Sequence, residues 1–167
     1  MKTIHIPIDK IDQGIKLCLT NVKLYINDSR RLMEAGSVEH AVVLAIFAAE
    51  ELAKAGILSK RLYEQKGRDA IEVETKLFRG RGAHEFKMKE AKQLLGDSLI
   101  LESSRVGYAE LPFTLGEEVV ASPELRLQCA FVDFEDGKWK FGTSYSRANL
   151  EDLLRKIEDE VSRLSTP

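Results

Sequence analysis

The chain has 167 residues, a length that suits one domain. Its composition, 44% hydrophobic and 31% charged, is ordinary for a soluble protein with a buried core, and a formal net charge of −2 gives no global pull toward nucleic acid or an anionic membrane. Two cysteines, Cys18 and Cys129, stand in no metal-binding or paired spacing, which argues against a structural zinc and against a disulfide framework.

The N-terminal stretch MKTIHIPIDK has no apolar core and no small-residue cleavage site, so no secretory signal is expected. Residues 8–35 read as a first helix. Ile11, Ile15, Val22, Ile26, Ser29 and Met33 recur near one stripe, while Asp12, Lys16, Lys23 and Arg30 fall elsewhere. Gly36 is placed to stop that helix and Ser37 to cap the next. A second helix is expected over about 38–65. Its run AVVLAIFAA, residues 41–49, is apolar on every side, which places it at the centre of a bundle. The run ends at Glu50-Glu51, far short of the ~20 residues a membrane span needs. No membrane association and a cytoplasmic location are therefore expected.

Residues 68–79 fit a weak helix, although Ile71, Val73 and Thr75 also alternate as a strand does. Gly80 and Gly82 break it, and a third helix follows over about 84–95, with Gly96 as its stop. Residues 97–124 are the least regular, punctuated by Pro112, Gly116 and Pro123 and made acidic by Glu110, Glu117, Glu118 and Glu124. LRLQCAFVDFEDGKWKFG, residues 125–142, alternates with a period of two around Asp136-Gly137 and reads as a β-hairpin. A last helix, about 147–164, carries Leu150, Leu153, Leu154, Ile157, Val161 and Leu164 on one side. The whole chain, 1–167, reads as one mainly α domain: a bundle of four to five helices with a β-hairpin inserted before the last.

Two stretches carry candidate chemistry. Glu50, Glu51 and Lys54 follow directly on the most apolar run, where a carboxylate is costly unless paired. The plain reading pairs Glu50 with Lys54 at i,i+4 and leaves Glu51 in solvent. The functional reading sends one carboxylate into a polar pocket to orient a neighbour. No metal site is expected, because none of His5, His40 and His84 follows a glutamate at the spacing di-metal bundles use.

The second stretch is FRGRGAHEFK, residues 78–87. On a continuous helix Arg79 and His84 would lie about 140° apart and could not share a pocket. Gly80 and Gly82 permit the chain to fold back between them. Residues 76–92 hold six basic and two acidic side chains, a local balance of +4, with Arg81, Lys87 and Lys89 as candidate phosphate or RNA contacts. The plain alternative is a solvated basic turn.

LAIFAAEELAKAGIL, a basic segment with AHEFKMK, and the Asp-Gly hairpin, in that order, resemble the AbiV-type abortive-infection proteins over roughly residues 10–160. That family is similar in turn to the HEPN superfamily, many of whose members are metal-independent RNases built on an arginine, four to six residues, then a histidine. Arg79 and His84 match with four residues between; Arg81 and His84 have only two between and do not. Relatives often place a polar side chain just after the arginine, where this chain has Gly80.

The resemblance implies an endoribonuclease of phage defence that impairs translation. His84 would serve as general acid or base, Arg79 would hold the scissile phosphate, and Glu50 or Glu51 would orient one of them. It implies a homodimer with two motifs facing one cleft, no cofactor, and a phage or host protein as trigger. Two other readings stay open. One is a non-catalytic module of the same fold that binds RNA, a nucleotide or a protein; the other is an interaction module acting through residues 97–124 and the hairpin.

Overall fold

The computed structural model describes residues 2–65, 67–80, 82–105, 114–130, 133–135, 138–140 and 143–165. α1 runs Ile8–Glu34 and buries Ile11, Ile15, Val22, Ile26, Ser29 and Met33, the expected stripe, together with Cys18 and Leu19. It ends in a Schellman arrangement at Gly36: Gly36 N–H donates to the Met33 carbonyl at 3.1 Å and Ser37 N–H to the Leu32 carbonyl at 2.8 Å. α2, Val38–Glu64, follows at once. Ser37 occupies its cap position, but the Ser37 hydroxyl bonds His40 Nδ1 at 2.8 Å instead of a backbone N–H.

α2 is the central element, in contact with α1, with α3 (Ala83–Leu95), with α4 (Pro123–Ala130) and with α5 (Arg147–Ser165). Ala41, Ala45, Ala48, Ala49, Ala53 and Ala55 are buried along it. Small side chains let neighbouring helices approach from several directions, which explains why its apolar residues have no single face. Leu150, Leu153, Leu154 and Ile157 of α5 complete the core. Among the described residues no helix is long and apolar enough to cross a membrane.

Three expectations need correction. Residues 70–74 form strand β2, not a helix, and pair antiparallel with β1, Thr3–Pro7, in the register Ile4↔Val73 and Ile6↔Ile71. Ile71 and Val73 point into the core and Glu72 points out, so the two-residue alternation was the true signal; a 3₁₀ turn, Thr75–Leu77, follows. The irregular region holds two strands, β3 (Ile100–Arg105) and β4 (Thr114–Val120). With β7 (Thr143–Tyr145) they form a three-stranded sheet in the order β4-β3-β7.

Third, the first part of the expected hairpin is the helix α4. Only β5 (Asp133–Glu135) and β6 (Lys138–Lys140) pair as foreseen, and the Asp136-Gly137 turn lies outside the described residues. Helix won at 123–130 because its start is built: Ser122 Oγ accepts the Leu125 N–H at 3.1 Å, and Pro123 occupies the first helical position, where no N–H is needed.

α1 is tied to α5 by one arginine. Arg30 donates from Nη2 to Glu151 at 2.6 Å and from Nη1 to Glu158 at 2.6 Å. Its hydrogen bonds hold the Glu158 carboxyl below the usual carboxylate value of 4.5. A carboxyl depressed in the folded state stabilises above its unfolded value, and that contribution disappears as pH falls through the folded value. Arg30→Met is therefore expected to lower stability at neutral pH by no more than about 1 kcal/mol, because both acids are partly exposed. In urea titrations the gap between variant and parent should narrow as pH falls through the lowered Glu158 value. An undiminished gap in acid would assign the loss to packing of the Arg30 stem.

Candidate functional site

Glu50 lies on α2 at the end of its apolar run, with its side chain only 3% exposed. A buried carboxylate must find counter-charges or donors, and two other helices supply them. His84 and Lys87 stand three residues apart on α3 and so share its face toward α2. His84 Nδ1 lies 2.9 Å from Glu50 Oε1 and 2.8 Å from Oε2, and Lys87 Nζ lies 2.8 Å from Oε2. From α4, Arg126 brings Nη1 to 3.3 Å from Oε1, while its guanidinium carbon sits 4.9 Å from the centroid of the Phe47 ring. Phe47 is one turn before Glu50 on α2.

The arrangement selects a tautomer. A carboxylate only accepts, so the contacts at 2.8 and 2.9 Å require a hydrogen on His84 Nδ1. Arg126 Nη1 is also 3.0 Å from Nδ1, but a donor facing a donor makes no bond, and its hydrogen belongs to Glu50. The neutral imidazole then carries its lone pair on Nε2, on the edge of the ring away from Glu50. His84 is 45% exposed while Glu50, Lys87 and Arg126 are nearly enclosed, so the histidine is the outlet of the cluster. Lys87 and Arg126 together outweigh Glu50 by one positive charge, which favours an anion at that outlet.

The other expected residues are placed as follows. Arg79 is exposed, and among the described residues its side chain makes no hydrogen bond or ion pair; only its backbone N–H is engaged, to the Thr75 carbonyl. Gly80 at φ +104° and Gly82 at φ +75° take backbone conformations that side chains rarely adopt. They turn His84 inward and leave Arg79 outside. Arg81 lies outside the described residues. Lys89 is exposed on α3, whereas Lys87 is buried against Glu50.

The plain pairing of Glu50 with Lys54 is replaced: Lys54 bonds Glu51 at 2.5 Å, three residues apart, and both are largely shielded. Burial, aided by the nearby Glu51 carboxylate, pushes the Cys18 thiol up to about 11, so it stays protonated at neutral pH and is no nucleophile. Among the described residues no group of three or more histidine, cysteine, aspartate or glutamate side chains is placed to hold a metal ion, and two of the partners of Glu50, Lys87 and Arg126, are cations, which repel one.

Arg126 was missed because L-R-L-Q alternates like a strand. The signal that would have found it is Ser122-Pro123-Glu124, a helix start that puts Arg126 in the first turns of α4. A family model, that of AbiV among the HEPN proteins, matches residues 10–162. No curated protein and no solved structure matches the chain.

Proposed function

The chain belongs to the AbiV family of HEPN proteins, and from that premise we propose that it is a metal-independent endoribonuclease of abortive infection with His84 as its acid–base group. The observation that carries the reading is the buried Glu50 carboxylate on His84 Nδ1, which fixes the ring and presents Nε2 outward. Such a histidine takes a proton from an RNA 2′-hydroxyl or gives one to the leaving 5′-oxygen. The nearby surplus cation stabilises charge gathering on the phosphate in the transition state. Glu50 is the positioning residue. The same reading expects a homodimer and a phage or host protein as trigger.

The expected result is cleavage of RNA by the purified protein to 2′,3′-cyclic phosphate and 5′-hydroxyl ends, at a rate unchanged by EDTA. If no RNA pool is cut, and His84→Ala leaves toxicity in cells unchanged, the reading is dead.

Gly80 favours a second one. It stands where active relatives often carry a polar side chain, and its φ of +104° would strain any replacement even though nothing lies within 4 Å of an added Cβ. On that reading the same cationic outlet binds RNA or a nucleotide without cutting it. RNA binding that survives His84→Ala, with no cleavage by the parent protein, would support it.

A further inference from the structure

Arg126 is the member of the cluster whose donors are least committed. A guanidinium offers five N–H donors in a rigid fork. Among the described residues the one acceptor Arg126 reaches is Glu50 Oε1, at 3.3 Å, longer than a charge-assisted bond usually is. Glu50 is already neutralised by Lys87 at 2.8 Å, and Nδ1 of His84 carries its own hydrogen. Phe47 holds the guanidinium against its ring and consumes no donor in doing so.

We infer that Arg126, carried in on α4, holds a phosphate of the substrate beside His84, the role that the Arg79 spacing implies for Arg79. This deepens the ribonuclease reading and rests on it for the reaction, though not for phosphate binding itself. The planar fork matches two phosphate oxygens at once, and it sits 3.0 Å from the ring whose other nitrogen faces outward. Two oxygens taken by the fork set the phosphorus near the His84 outlet, where the 2′-hydroxyl must also come. Arg79 starts from the surface without a partner among the described residues and would lose side-chain entropy to do the same work.

The test compares the parent, Arg126→Gln and Arg79→Gln on one RNA, each checked for an unchanged thermal unfolding curve. It adds anisotropy binding of a 2′-O-methyl RNA that cannot be cut. Arg126→Gln should lower kcat/KM about 100-fold, the usual effect of removing a donor to transition-state charge, and by more than Arg79→Gln does. A loss under about tenfold, or a larger loss at Arg79, overturns the assignment. If the parent cuts no RNA, the ribonuclease reading fails alone and binding decides. Arg126→Gln weakening the 2′-O-methyl RNA by about tenfold or more sustains the phosphate site. Unchanged affinity, or no binding by the parent, ends it. Should Arg126→Gln not fold, Arg126→Lys keeps a charge on Glu50 without the fork and is judged by the same thresholds.

Discussion

Glu50→Ala is expected to destabilise the domain by about 3–5 kcal/mol, the cost of breaking a buried ion pair from one side. The acid itself is not what makes the variant costly. Its removal leaves Lys87 and Arg126, 8% and 11% exposed, as two enclosed cations with no counter-charge among the described residues, and they repel each other. Against a typical total of about 5–15 kcal/mol, this is a large fraction of the stability. Glu51→Ala, one residue on, should cost less, about 1–3 kcal/mol, because it orphans a single cation, Lys54, that is less enclosed.

Urea unfolding of the two variants separates these values. A second substitution sharpens the assignment: Lys87→Met added to Glu50→Ala should recover part of the loss, since one orphaned charge is removed along with its repulsion. A Glu50→Ala variant within about 1 kcal/mol of the parent would mean that water reaches the cluster and that Glu50 is not the anchor of the site.

The sequence made the helices legible because their burial repeats locally. Ile11 to Met33 of α1 and Leu150 to Ile157 of α5 are stripes that any 3.6-residue period reveals, and the alanine-rich run of α2 is apolar all round because four helices surround it. What stayed hidden was decided at a distance. The strand at Ile71 and Val73 competes with a helix until Ile6 and Ile4, 65 and 69 residues before their respective partners, supply its pairing edge. Glu50 posed the same difficulty in side-chain form. Lys54 was close in sequence and well spaced, yet the carboxylate went to His84, 34 residues on, and to Arg126, 76 residues on. Spacing ranks local partners; it cannot rank those that packing delivers. Arg126 differs in kind, because its helix start was written at Ser122-Pro123 and was outweighed by a four-residue alternation.

His84→Ala should separate function from stability in the opposite sense to Glu50→Ala. The ring is 45% exposed, and without it Glu50 keeps Lys87 at 2.8 Å and Arg126 at 3.3 Å, so the unfolding midpoint should move little. Cleavage should fall about 10²–10⁴-fold, the usual contribution of a positioned proton-transfer group. A residue that only shapes the pocket can also lower a rate, so the decisive readout is chemical. The truncated side chain leaves a gap beside the Glu50 carboxylate that free imidazole fits, with its N–H on Glu50 and its other nitrogen outward. Added imidazole should therefore restore part of the lost rate in His84→Ala and none in Glu50→Gln, where the ring is still in place but its carboxylate is gone. Restoration confined to His84→Ala identifies the lost group as the proton carrier. Equal failure in both variants, with folding intact and RNA binding lost, assigns His84 to binding and leaves the proton transfer without a residue.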